Sequence, residues 1–245
     1  MTVIHCLSDN EAACAFAAAE MAAGIERARA ARGVAHLSLA GGNTPRRAYE
    51  LLAPLLDDWS AVELWYGDER CVDPQDPEST HRMVSESLLG AFAARGAGQP
   101  LEHRIRGELG AEQATRDYEA LLRERVAAGE DGLPTLDVSL LGLGEDGHTA
   151  SLFPGFPQVE VTEGLCLAVH DSPKPPPDRV TLTVPVLRAA RSTLLLATGA
   201  GKAQALAAVL RGPDPRVPAS LLGGDRLQVI ADEAAHPAGA PGAAS

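Results

Sequence analysis

Residues 135–155 read TLDVSLLGLGEDGHTASLFPG. The apolar run stops in Gly142 and Gly144, and an acid and a histidine follow with one glycine between them, Asp146-Gly147-His148. A short, nearly continuous apolar run bounded by glycines is the pattern of a strand covered on both faces, as in a parallel sheet. In such sheets ligands bind beyond the carboxyl ends of the strands. This stretch therefore indicates both the fold class and where chemistry should be sought.

Working outward, the same alternation recurs. VAHLSLA (34–40) is β-rich and ends in Gly41-Gly42, after which Thr44-Pro45 offers an N-cap and an N1 proline for the helix RRAYELL. AVELWYG (61–67) runs into Asp68-Glu69-Arg70. GLCLAVH (164–170) and RVTLTV (179–184) flank DSPKPPP, and STLLLATG (192–199) and RLQVIAD (226–232) complete the strands. Helices are expected from the capping-box pattern Ser8-Asp9-Asn10-Glu11 to about Arg32, from Ser79 to about Ala94, over 111–127, and from Lys202 to Leu210. The pattern predicts an α/β fold: an open, mainly parallel sheet, mixed at an edge and Rossmann-like, with helices on both faces. No linker or repeat divides the chain, so one domain is expected over 1–233, with 234–245 a flexible C-terminal tail.

Composition narrows the partners. Of 245 residues, 45% are hydrophobic but only 4% aromatic, so the core must rest on Leu, Val, Ile and Ala. A net charge of -12 argues against nucleic acid or an anionic membrane, which both need a basic face. It also makes single Arg and Lys residues informative, because an anionic small substrate would need positive charge gathered locally. Cys6, Cys14, Cys71 and Cys166 form no CxxC pair, so neither a disulfide nor a zinc site is expected. The opening MTVIHCLSDNEAA lacks a basic segment followed by a long apolar one, and no apolar run nears the ~20 residues of a membrane span. A soluble, cytoplasmic protein is expected, a monomer or small homo-oligomer.

The strand ends carry the candidate chemistry. Gly41-Gly42-Asn43-Thr44 joins a strand to a helix N-terminus, which suits a phosphate but equally a capped tight turn. Three adjacent charges, Asp68-Glu69-Arg70, cannot all face one way, so at most two address one site; a solvated loop is the plain alternative. Arg70 can clamp a phosphate or carboxylate bidentately. His148 beside Asp146 is the sharpest signal, because a histidine near neutral pKa is the usual base for activating water and a carboxylate fixes its tautomer. Four prolines stiffen the loop that carries Lys174 and leads to Arg179. Lys202, in the first turn of a helix, opposes the helix dipole, which hints at a compensating anion. The other histidines, His5, His36, His81, His103, His170 and His236, show no ligand spacing, and HExxH, Walker A, GxSxG and the Rossmann GxGxxG are absent. No metal or cofactor is implied.

Taken together, AGGNTP (40–45), GDERCV (67–72), LGLGEDGHTASLFPG (141–155), DSPKPPPDRVTLT (171–183) and ATGAGKAQAL (197–206) resemble the 6-phosphogluconolactonase family, in the family's order over roughly residues 34 to 210. A related group, the glucosamine-6-phosphate deaminases, shares the open α/β sheet and the Asp-Gly-His stretch. Those relatives carry a glutamate five residues after the histidine, where this chain has Phe153. The helix start after GDERCV reads Ser79-Thr80, whereas the lactonase pattern reads Ser-Asn. The resemblance implies hydrolysis of 6-phospho-D-glucono-1,5-lactone to 6-phospho-D-gluconate without metal or covalent nucleophile. It implies His148 as general base, Asp146 and Asp68 orienting it or the water, and the 6-phosphate held around Gly41, Gly42, Asn43 and Thr44 with Arg70, Lys174, Arg179 or Lys202. The alternatives are a deaminase-like isomerase and a sugar-phosphate-binding module without catalysis.

Overall fold

The computed structural model describes residues 2–93 and 98–237. Its strands are β1 (Val3–Leu7), β2 (Ala35–Leu39), β3 (Val62–Tyr66), β4 (Asp68–Arg70), β5 (Leu101–Glu102), β6 (Val138–Gly142), β7 (Cys166–Val169), β8 (Arg179–Leu182), β9 (Thr193–Ala197) and β10 (Leu227–Asp232). The helices are α1 (Asn10–Arg32), α2 (Asn43–Leu52), α3 (Thr80–Val84), α4 (Gly90–Ala93), α5 (Ala111–Arg125), α6 (Val184–Ala189) and α7 (Ala203–Leu210). A π-helical turn, Ser85–Leu89, joins α3 to α4; Ala94, the expected end of this helix, lies outside the described residues.

Seven strands form one sheet in the order β1-β10-β9-β6-β2-β3-β5, and every neighbouring pair is parallel. The antiparallel pairing expected at an edge of this sheet sits instead in a separate three-stranded sheet, β4-β8-β7. The reason is local: β7 and β8 are joined by a short proline-rich loop, which can only return the chain antiparallel. Strands β1 and β5 have no counterpart among the sequence-based expectations. Both lie on the edges, where one is half exposed and the other only two residues long.

Ends and caps explain the boundaries. Asp9, rather than Ser8, caps α1, its Oδ1 accepting the Ala12 N–H at 2.8 Å. The helix stops at Gly33, whose φ of 78° is the left-handed conformation that glycine adopts without strain. Of the expected tail, 238–245 lies outside the described residues, whereas Ala235 is fully buried and donates its N–H to Asp232 Oδ1 at 2.8 Å. No helix among the described residues is long and apolar enough to cross a membrane.

The core is aliphatic as composition requires, but its few aromatics are central: Trp59, Trp65, Tyr49 and Tyr66 are all fully buried. Two tyrosines finish the sheet at its carboxyl side. Tyr49 on α2 accepts the Ala40 N–H at 2.7 Å and donates to the Ala40 carbonyl at 2.9 Å. Tyr118 on α5 does the same for Tyr66, at 2.7 and 3.0 Å. Ala40 is thus fixed where β2 gives way to the Gly-Gly turn. Removing the hydroxyl would leave two buried backbone groups unpaired, at a cost of about 1–3 kcal/mol. Tyr49→Phe should lower the unfolding free energy by that amount in a denaturant titration, and an unchanged midpoint would show that Ala40 finds other partners.

Candidate active site

At the carboxyl ends of the sheet, four segments enclose a cleft of about 240 Å³. The β2 end contributes Ala40–Pro45, the β6 end Gly142–Gly144 and His148, and the β9 end Leu196, Thr198 and Lys202. The small sheet adds Asp68 and Arg70 from its edge strand β4 and Arg179 from the start of its middle strand β8. A larger cavity, about 600 Å³, lies at the opposite end of the strands around Arg188, Thr193, Leu222 and Arg226. It contains no histidine or cysteine, so size points away from the chemistry here and residue content points toward it.

The tight turn after β6 places the acid and the histidine side by side. Gly147 donates to the Gly144 carbonyl at 3.0 Å and Gly144 to the His148 carbonyl at 2.8 Å. Gly147, with φ 89°, requires glycine for this turn. Asp146 Oδ1 lies 2.5 Å from His148 Nδ1. Burial works to raise the Asp146 pKa, but the His148 hydrogen bonds and the Lys174 charge bring it below its ordinary value. The carboxylate is therefore an acceptor, which puts the ring proton on Nδ1 and the lone pair on Nε2. Burial also lowers the His148 pKa, against the opposing pull of Asp146, so the imidazole is neutral at pH 7. Behind it stands the fully buried Phe153, ring centroids 4.8 Å apart, and the Arg179 guanidinium lies 5.6 Å from the Phe153 centroid.

The charge run 68–70 is not the solvated loop that its composition also allows; it is strand β4, and strand alternation sorts its side chains. Asp68 and Arg70 line the cleft. Asp68 accepts the Ser151 hydroxyl on Oδ2 at 2.7 Å. Glu69 faces away, buried, and receives the N–H groups of Arg70, Thr80 and His81 at 2.7–2.8 Å, together with the Ser79 hydroxyl at 3.1 Å. Burial raises the Glu69 pKa, and the three N–H groups and the Arg70 charge offset that only in part. Its role is to pin the start of α3, and Ser79 caps that helix by accepting from the Arg82 N–H.

The Gly-Gly turn differs from expectation in one respect. Helix α2 starts at Asn43 with Gly42 (φ 110°) at the N-cap, and no side chain caps it. Thr44 is inside the helix; its hydroxyl contacts that of Thr198 at 3.2 Å, which in turn donates to Asn10 at 2.7 Å. The first N–H groups of α2 are left without a side-chain partner on the cleft wall, an arrangement that suits an anion. Gly41 and Thr80 stand close: a Cβ built on Gly41 would come 2.9 Å from the Thr80 hydroxyl.

Of the four candidate cations, Arg70, Arg179 and Lys202 line the cleft, and Lys174 is not on its wall. Arg70 is steadied by a 2.6 Å bond to the Glu78 carbonyl, while its buried Nε has no hydrogen-bond partner among the described residues. Arg179, 4% exposed, holds the proline-rich loop by its carbonyls. Lys174 instead reaches His148 Nδ1, at 3.2 Å. Sequence reasoning missed Ser151, Thr198 and Thr181. Thr181 sits opposite Asp68 in the strand register and accepts the Ser151 N–H at 3.3 Å, a cluster that appears only when the two sheets are assembled. Among the described residues no group of three metal-ligating side chains converges.

Gly144 is the glycine on which the pair depends. A Cβ there would fall 1.9 Å from His148 Nδ1 and 2.5 Å from Asp146 Oδ1. In Gly144→Ala the imidazole should be displaced from Asp146 to beyond hydrogen-bond range, about 3.5 Å or more. A crystal structure of the variant checks this, and an intact contact would refute it.

Comparison with known proteins follows the same lines. A family model described as glucosamine-6-phosphate isomerases/6-phosphogluconolactonase matches residues 8–230. The chain is 39% identical over 217 residues to a 6-phosphogluconolactonase of Streptomyces coelicolor, covering 86% of this chain and 82% of that protein. To the Mycobacterium tuberculosis 6-phosphogluconolactonase it is 37% identical over 222 residues, covering 89% and 90%. A solved 6-phosphogluconolactonase from Thermotoga maritima superposes with a TM-score of 0.80 at 28% identity, covering 95% of this chain and 99% of that one. A monomeric glucosamine-6-phosphate deaminase superposes with a TM-score of 0.77 at 22% identity, covering 96% and 98%, a likeness of fold alone.

Proposed function

The chain belongs to the glucosamine-6-phosphate isomerase/6-phosphogluconolactonase family, and from that premise we propose that it hydrolyses 6-phospho-D-glucono-1,5-lactone to 6-phospho-D-gluconate, a step of the oxidative pentose phosphate pathway. The observation that carries the choice within the family is Phe153. It is fully buried against the His148 ring, in the position where the deaminases carry their proton-transferring glutamate. Deamination needs a proton moved between carbons 1 and 2, and a phenyl ring moves none. Lactone hydrolysis has no C–H proton to move.

A δ-lactone is an activated ester, so a positioned water and a base suffice. Nε2 of His148 takes a proton from water as the oxygen adds to C1, while Asp146 holds Nδ1–H and supports the imidazolium that forms. When the tetrahedral adduct collapses, the ring C–O bond breaks and Nε2–H returns the proton to the departing ring oxygen. Asp68, braced by Ser151, orients the water. The 6-phosphate is held by the N–H groups of Gly42, Asn43 and Thr44 at the start of α2, beside Gly41, and by Arg70, Arg179 and Lys202. These cations supply locally the positive charge that a chain of net charge -12 lacks overall. The same net charge supports a protein that acts without nucleic acid or an anionic membrane. The four free cysteines support a reducing, cytoplasmic setting.

Freshly generated phosphorylated lactone, followed by a coupled assay against a no-enzyme control, tests the reading. His148→Ala should lower kcat by roughly a hundredfold or more, the usual loss for a general base. The base acts only when neutral, and burial holds its pKa below the ordinary 6.5. The acid limb of the kcat/KM profile should accordingly have its midpoint below 6.5, the side on which the base becomes protonated. Ammonia release from glucosamine 6-phosphate at a rate matching lactone hydrolysis would overturn the assignment.

A further inference from the structure

Lys174 is built into the site on a rigid mount. Its carbonyl accepts from Arg179 Nη2 at 2.9 Å and from the Ser172 hydroxyl at 2.9 Å, and its N–H donates to that hydroxyl at 3.3 Å. Arg179 also holds the next two carbonyls, those of Pro175 and Pro176, at 3.1 Å each. With four prolines between 173 and 177, the loop has little freedom left. The side chain ends 3.2 Å from His148 Nδ1 and 3.8 Å from Asp146 Oδ2, on the edge of the imidazole away from Nε2.

We propose that Lys174 is a positioning residue for the base: the loop gripped by Arg179 delivers its ammonium to the Nδ1 edge of His148, where it fixes Asp146 and opposes the charged imidazolium. The proposal rests on the lactonase reading for its catalytic consequence. An ammonium offers donors and no acceptor, so it cannot receive Nδ1–H. Its favourable partner is Asp146, which accepts from His148 through one oxygen and faces Lys174 with the other. The charged groups that act on the imidazole are Asp146 and Asp68, which favour its protonation, and Lys174, which disfavours it. Arg179, on the cleft wall, has its guanidinium over the Phe153 ring, 5.6 Å from the centroid. With the ammonium in place the base is neutral over a wider acid range. After taking the water proton it is also a stronger acid toward the leaving ring oxygen.

The distinction from phosphate binding is measurable. Lys174→Met keeps the length and apolar stem but removes the charge, and the side chain is 46% exposed, so the fold should survive. NMR titration of His148 in the substrate-free protein should show its midpoint moving up by about half a pH unit or more. In the assay, kcat should fall about tenfold with KM within about threefold of the wild type, and the acid limb should move up with the midpoint. Lys174→Arg should restore most of both. An unmoved midpoint overturns the proposal, as does a KM raised tenfold at unchanged kcat, which would make Lys174 a phosphate ligand. Should the wild type leave the lactone untouched, the lactonase reading falls, while the titration still decides whether Lys174 acts on His148.

Discussion

Strands β2 and β6 touch over two residue pairs only, Leu37 with Val138 and Ser38 with Ser139, and the site depends on that brevity. From this seam the chain is laid outward in both directions, through β3 and β5 on one side and β9 and β10 on the other, where β10 pairs with the N-terminal strand β1 at the edge. It is the switch point of the sheet, where successive connections leave on opposite sides and a crevice must open. Beyond Ser139, β6 continues against β9 as far as Gly142 and Leu196, while β2 continues against β3 as far as Leu39 and Tyr66. The parting strands end in the Gly41-Gly42 turn on one wall and the Asp146-Gly147-His148 turn on the other. Tyr49, bonded to both backbone groups of Ala40, keeps the first wall from relaxing into the gap.

The electrostatics of the cleft follow from what each wall can satisfy. Side chains that are buried there are used to hold backbone: Glu69 gathers the first amides of α3, and Arg179 gathers three loop carbonyls. Groups facing the cleft are only partly satisfied. The first turn of α2 has no side-chain cap, and Arg70 Nε has no partner among the described residues. A positive, under-satisfied wall next to a neutral, hydrogen-bonded imidazole matches a substrate that is anionic at one end and electrophilic at the other.

Much of this was legible in one dimension, for identifiable reasons. Buried parallel strands read as apolar runs, and glycines mark where they turn, so β2, β3, β6 and β9 could be placed to within about two residues. His148 and Asp146 could be paired because two residues of separation across one glycine leave them no room to part. That at most two of Asp68, Glu69 and Arg70 could address one site was legible; which two, Asp68 and Arg70, required strand β4. The two edge strands were not legible: β5 has two residues and carries no period, and β1 is only partly buried and lacks the continuous apolar run of a covered strand. Nor were contacts between segments far apart in sequence: Ser151 on Asp68, Thr198 on Thr44, and the small sheet that brings 68–70 against 179–182. Lys174 shows the same limit. Its loop, its charge and its neighbouring prolines were plain, but charge alone pointed to a phosphate, and only distance shows that it stands at the far edge of the histidine.

Catalysis by this cleft turns on the protonation state of one ring. Nitrogen-15 NMR of histidine-labelled protein at pH 7, with His148 assigned by its absence in His148→Ala, reads that state without any substrate. A protonated, pyrrole-like Nδ1 and an unprotonated, pyridine-like Nε2 would establish a neutral base whose Nδ1–H is held by Asp146 across the 2.5 Å contact and whose Nε2 is free to take a proton. The reverse tautomer, or an imidazolium at pH 7, would contradict the account at its centre.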